Sequence, residues 1–443
     1  MKLILVVIDG LTPAVFEDAV ESGTAPALAF LARHGSYGRG VSTFPSLTPV
    51  CLSSIATGAH PDVHRIPHLV WYHRGERRIV EYGSSFAAIR AAGTRRSFLD
   101  AVFNMNEQHL GRDAVTVYEA LEDTGLTAAA VNVTCYRGRT RHRAVLPGLA
   151  PAFGPRRFFF YSLFESDVTG ASVGVFGRSA GSIDAYAAAV GRWLVTRDGF
   201  DFLFYYLPDY DFASHALGPE ATQVALARSD AAVGALIEAA GGPDEFLERY
   251  AVVVCSDHGQ TQVERAESLE TSFASVDGLL VTASNRAGMV YRLPGCLEEP
   301  GELARRLDGS AAAEVVLYRE GAEAVARRAG EELRFAPAEH GWRTSGDPGL
   351  LDQPDALERA WCALANPNAG ELIVSPPAGV ELTDLAGRSH LGGGSHGSLD
   401  AGDSEVPMLI VGIDAPVPHR IVDLKQLALA HFGVAARDAA DAA

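Results

Sequence analysis

The chain has 443 residues, 47% of them hydrophobic, with a formal charge of -18 and a pI near 5.2. That is the composition of a globular protein with room for one large α/β domain or two ordinary ones. Its acidity excludes a nucleic acid polymer or an anionic membrane surface as partner, because phosphate contacts need a basic footprint.

The first predicted element is the apolar run Leu3–Ile8, a buried strand that stops at Asp9-Gly10. Gly10 lets the backbone turn sharply there, and Asp9 reads either as a loop residue or as a ligand. The next is a helix in Phe44-Pro-Ser-Leu-Thr48-Pro49-Val-Cys-Leu-Ser-Ser-Ile-Ala-Thr-Gly58. Thr48 suits its N-cap, Pro49 its first turn and Gly58 its stop. Thr48 either caps the helix or offers a nucleophilic hydroxyl at an anion-binding N-terminus; Ser46 and Ser53 lack that position. Residues 60–112, with Trp71-Tyr72 and the Arg-rich stretch to Arg78, read as a lid or rim.

Further along, Ala114–Asp123 predicts a helix and Ala128–Val133 a strand, followed at once by the basic run Arg137-Gly-Arg139-Thr-Arg141-His-Arg143. The run is either a solvated loop paired with carboxylates or, through Arg137 and Arg139, a bidentate clamp on phosphate oxygens. A helix over Ile183–Val195 and a strand over Phe202–Leu207 lead into Asp209-Tyr-Asp211-Phe-Ala-Ser-His215. Asp211 and His215 stand four apart, on one helical face, as a surface pair or as ligands of one cation, with Asp209 as an alternative ligand.

The strand Ala251–Cys255 ends at Ser256-Asp257-His258-Gly259. Two ionisable groups at the end of a buried strand are costly unless something compensates them, and a metal would do so. Residues 262–390 break the alternation and read as an inserted α+β subdomain, helical at Glu302–Arg306 and at Glu320–Glu332. Gly392-Gly-Gly-Ser-His396-Gly397 is a flexible loop or a close backbone approach carrying a ligand, and Pro407–Gly412 resumes the strands. The Ala-rich last eight residues are expected to fray. Alternating strands and helices predict an α/β fold: a doubly wound, mostly parallel central sheet with helices on both faces, formed by 1–261 and 391–443. Ligands in such sheets bind beyond the C-terminal strand ends.

Asp9, Thr48, Asp211, His215, Asp257, His258 and His396 all fall at or near that edge, enough for two divalent cations. Carboxylates and imidazoles without thiolates suit zinc, with manganese as the alternative. Such a pair activates a nucleophile and stabilises both oxygens of an in-line displacement. Five scattered cysteines read as reduced thiols. With no membrane-length run and no signal-peptide core, the expected location is cytoplasmic.

The order Asp-Gly, Phe-Pro-x-x-Thr, Asp-x-x-x-His-x-x-Gly-Pro, Ser-Asp-His-Gly and Gly-x-His-Gly resembles the alkaline phosphatase superfamily, and within it the type I phosphodiesterase/nucleotide pyrophosphatase family. The resemblance runs from residue 9 to 397 and implies an alkaline phosphatase-like fold. It implies that Thr48 forms a covalent phosphoryl or nucleotidyl intermediate, that Asp9, Thr48, Asp257 and His258 hold one zinc, and that Asp211, His215 and His396 hold the other. The family pattern continues with an Asn that contacts a phosphate oxygen, where this chain has Pro49-Val-Cys51-Leu52; oxyanion stabilisation must then come partly from elsewhere. The expected activity is hydrolysis of a small phosphoric ester, with a phosphomonoesterase as the close alternative. A phosphonate hydrolase, a phosphotransferase or a non-catalytic metal-binding module are further alternatives. The oligomeric state is open.

Overall fold

A computed structural model describes residues 1–166 and 182–435, so the expected fraying of 436–443 lies outside the described residues. The central sheet has eight strands in the order Gly35–Val41, Glu405–Val411, Tyr250–Cys255, Lys2–Ile8, Phe202–Leu207, Ala128–Val131, Arg157–Phe160, Phe164–Ser166. The five strands from Tyr250–Cys255 to Arg157–Phe160 are mutually parallel. Glu405–Val411 and Phe164–Ser166 run antiparallel to their neighbours, so the sheet is mixed, with the other six strands running in one direction as a mostly parallel sheet requires. The reason is chain length: Glu405 follows the His396 loop too closely for a crossover of a dozen or more residues, so the strand must start from the edge where the loop lies.

Side chains of the central strands alternate between two apolar layers. Leu3, Leu5 and Val7 pack with the helix Thr48–Thr57 on one face. Ile4, Val6 and Ile8 pack with the helices Ile183–Thr196 and Gln223–Ala239 on the other. Both faces are covered, as near-continuous β-branched and leucine runs require. The expected helix at Ala114–Asp123 is confined to Val117–Glu122, because Thr116 caps it and closes a reciprocal capping box with Glu119.

A second, wholly antiparallel sheet of seven strands occupies Leu279–Ser345 and Leu372–Ser375. The helix Pro300–Arg306 agrees with the expectation there, whereas Glu320–Glu332 is not helical. It forms the strand Glu323–Arg328 and the turns that join it to Val315–Glu320 and Glu331–Pro337. Good helix formers lose here to turn chemistry and burial. Gly321, Ala329 and Gly330 take positive φ of 60°, 52° and 87°, and Ala324, Val325 and Ala326 are buried. Residues 60–112 form a hairpin, Val70–His73 with Arg78–Glu81, and helices that wall one side of the cleft described next.

Candidate active site

Four chain segments meet where the parallel strands end. Asp9 follows Lys2–Ile8, Asp211 lies in the first turn of the helix after Phe202–Leu207, and Asp257 and His258 follow Tyr250–Cys255. His396 arrives on the loop that precedes the antiparallel strand. Thr48 is the first residue of its helix; Leu47 takes the cap position, and no side chain caps that end. The Thr48 hydroxyl is therefore not spent on its own helix, and instead lies 3.1 Å from His258 Nε2.

The buried carboxylates converge on the imidazoles. His258 Nε2 is 3.2 Å from Asp9 Oδ1 and 3.5 Å from Asp257 Oδ2, and His215 Nε2 is 3.2 Å from Asp211 Oδ2. His396 Nε2 is 3.8 Å from Asp211 Oδ1, and the His258 and His396 rings stack at 3.6 Å. Each ring is aimed by its other nitrogen: Nδ1 of His215, His258 and His396 donates to the carbonyl oxygens of Gly394, Gly259 and Ser46 at 2.8, 3.0 and 2.8 Å. That leaves the three Nε2 atoms facing the carboxylates, the arrangement by which metal-binding histidines are held.

Asp9 Oδ1 and Asp257 Oδ2 are buried without a hydrogen bond. Buried carboxylate oxygens are costly in that state. Asp9, Asp257 and His258 offer atoms within 4.8 Å of one another, as do Asp211, His258 and His396, so the donor set fits a divalent cation in kind. The protonation pattern agrees. Burial, then repulsion from Asp211, raises the Asp9 carboxyl, and burial with Asp9 pushes Asp257 well above its ordinary range. Burial alone would depress His258, yet Asp257 and Asp9 pull it up to about 10. His215 rises to about 8 against its own burial through Asp211, while burial and the neighbouring His258 hold His396 low. Protons thus gather where the ligand charge is greatest.

A cleft of about 300 Å³ opens onto these groups, lined by Asp9, Thr48, Asp211, His215 and His396, with Leu69, Tyr82, Met105, Tyr161 and Phe212 on its apolar side. Among the described residues neither lysine nor arginine lines it. Arg137 and Arg139 stand elsewhere. The Arg137 guanidinium donates to the carbonyl oxygens of Leu110, Gly111 and Ala114 and pairs with Glu119, and Arg139 pairs with Asp123. Both tie the chain around the helix Val117–Glu122, the carboxylate-paired alternative, and neither lines the cleft as a phosphate clamp would. Cys51 is also outside the cleft: its thiol meets Ser42 Oγ at 3.2 Å in the core. Asp209 accepts from the backbone of Ile183 and Asp184 and caps that helix.

Several site residues escape a sequence reading. Tyr206 donates to Asp9 Oδ2, and Gln260 donates to Asp211 Oδ1 and accepts from Ser214. Gln260 sits two residues after His258 and shares its local signal; Tyr206 is a lone hydroxyl inside an apolar strand. His390 stacks on His215 at 4.0 Å and is held by Glu381 Oε1 at 2.7 Å from its Nδ1. Asn285 reaches the cleft from the second sheet.

The model of the family described as type I phosphodiesterase / nucleotide pyrophosphatase matches residues 3–399. The chain belongs to that family. It is a hydrolase of phosphoester or phosphoanhydride bonds, in a metal-dependent family of the alkaline phosphatase superfamily. Its fold is similar to that of phosphonoacetate hydrolase from Sinorhizobium meliloti 1021, solved with phosphonoformate, at 20% identity and a TM-score of 0.64, covering 97% of this chain and 95% of that one. It is also similar to murine ectonucleotide pyrophosphatase/phosphodiesterase 5, at 14% identity and a TM-score of 0.63, covering 99% and 96%. That murine protein has also been solved as an inactive variant with AMP. No curated protein sequence matches the chain. No helix among the described residues is long and apolar enough to cross a membrane.

Proposed function

We propose that this chain hydrolyses small phosphodiesters or pyrophosphates, with Thr48 as nucleophile and two divalent cations, zinc in preference to manganese. Asp9, Thr48, Asp257 and His258 would hold one cation and Asp211, His215 and His396 the other. The observation that carries the reading is the Thr48 hydroxyl, uncommitted to its own helix and 3.1 Å from a buried imidazole that also faces Asp9 and Asp257. Bound there, the cations would ease ionisation of the hydroxyl and neutralise charge on the phosphoryl oxygens. Thr48 Oγ releases its proton to solvent and bonds to phosphorus as the bond to the leaving alcohol breaks, and the departing alkoxide takes a proton from solvent. Water then breaks the Thr48–phosphorus ester, giving its hydroxyl to phosphorus and its proton back to Thr48.

The cleft wall supports a diester. A dianionic monoester, or a phosphonate with a further carboxylate, gains most from a guanidinium clamp, and no lysine or arginine lines the cleft among the described residues. An uncharged organic group suits Leu69, Tyr82 and Met105. Residues 262–390 fit an inserted subdomain that carries the second sheet. Five unpaired cysteines support a reducing, cytoplasmic location. The test compares bis(p-nitrophenyl) phosphate, p-nitrophenyl phosphate and phosphonoacetate on zinc-loaded protein. Diester turnover abolished by chelation and restored by zinc is expected; faster turnover of the monoester or of phosphonoacetate would overturn the diester assignment.

A further inference from the structure

Asn285 lies at the tip of the hairpin made by Leu279–Ser284 and Ala287–Arg292, and it enters the cleft beside Thr48, Asp211 and His396. Its φ of 56° is one that asparagine tolerates better than most residues. The side chain is 4% exposed and oriented: Ser284 Oγ donates to Oδ1 at 2.8 Å, which turns the amide nitrogen to the site, 3.1 Å from His396 Nε2. The neighbouring Arg286 holds the tip in place, its backbone N–H donating to the His396 carbonyl at 2.8 Å.

The His396 Nε2 lone pair is the one a cation would use, because Nδ1 already donates to Ser46. An amide N–H aimed at that point then needs another acceptor, and an anionic oxygen held beside the cation is one. Building on the phosphoryl-transfer reading above, we infer that the Asn285 carboxamide donates to a non-bridging oxygen of the reacting phosphoryl group. It thereby fills the part that Cys51, turned into the core, cannot. A donor brought in from the second sheet ties oxyanion stabilisation to the placement of that sheet.

The test uses the zinc-loaded full chain and two variants. Asn285→Gly keeps the positive φ and removes the amide; Asn285→Asp keeps the shape and removes the donor. For both, turnover of bis(p-nitrophenyl) phosphate should fall about tenfold or more, chiefly in kcat. Orthovanadate affinity, read by calorimetry, should weaken by a similar factor while zinc content stays unchanged. Unchanged orthovanadate affinity would overturn the inference. So would a loss of zinc in proportion to activity, which would make Asn285 a support for His396. Orthovanadate binding does not depend on turnover, so it judges Asn285 separately from the assignment of the reaction.

Discussion

His215, His258 and His396 each spend the Nδ1–H on a backbone carbonyl, so the protons that move with pH sit on the nitrogens facing the carboxylates. This has a consequence for stability. His258 and His215, raised to about 10 and about 8, bind protons in the folded chain that an unfolded imidazole has released. A raised folded pKa contributes stability that is fully present below the unfolded value near 6.5 and lost as pH rises through the folded one. The raised carboxyls of Asp9 and Asp257 act in the same direction. His396, held low, acts the other way only below its unfolded value. Between pH 7 and 10 the metal-free protein should therefore lose thermal stability, and the Tm gain on adding zinc should grow, since ligands bind metal deprotonated. Thermal melts with EDTA and with zinc across that range check it; a flat metal-free Tm would refute it. The convergence of these side chains was legible in the sequence because each belongs to a short local pattern close to the sheet edge. Arg137 and Arg139 were not, because nothing local reveals that the carbonyls of Leu110, Gly111 and Ala114 and the carboxylates of Glu119 and Asp123 lie within their reach.

Among elements, the loop Gly392–Gly397 shows why glycines flank His396. A Cβ on Gly393 would run into the carbonyl oxygen of His215, and one on Gly394 into the side chains of Gln260 and Ser214. Gly392 has φ of 85° but open space around it. Gly393→Ala should thus displace the His215 helix end and cut zinc affinity and turnover severely, whereas Gly392→Ala should cost only about 1 kcal/mol of stability from backbone strain. Zinc titration and urea unfolding of both variants measure this, and equal behaviour would contradict the close approach. The Gly-rich pattern announced such contact without naming its partner. The misread helix at Glu320–Glu332 is the converse case. There Gly321 and Gly330 marked two tight turns, and helix propensity was the weaker signal because both neighbouring strands supply hydrogen bonds.

At the scale of the molecule, a buried arginine helps to join the two sheets at the site. Arg286 pairs with Asp403 at 2.7 Å and with Asp400 at 2.5 Å. Asp403 in turn receives Thr261 Oγ1 at 2.6 Å and Ser398 N at 2.9 Å, linking the segments that follow His258 and His396. Removing one partner of such a pair leaves a buried charge uncompensated. Arg286→Ala should destabilise the fold by about 3–5 kcal/mol in urea unfolding, and a change below about 1 kcal/mol would show that the latch is not structural. No sequence pattern foretold it, since hairpin and acidic loop are more than a hundred residues apart. The proposed chemistry rests on Thr48. The most direct measurement is turnover of bis(p-nitrophenyl) phosphate by Thr48→Ala loaded with zinc to the level of the natural chain. Zinc should be retained through Asp9, Asp257 and His258 while turnover falls by about a thousandfold or more; turnover within a few-fold of the natural chain would rule out Thr48 as the nucleophile.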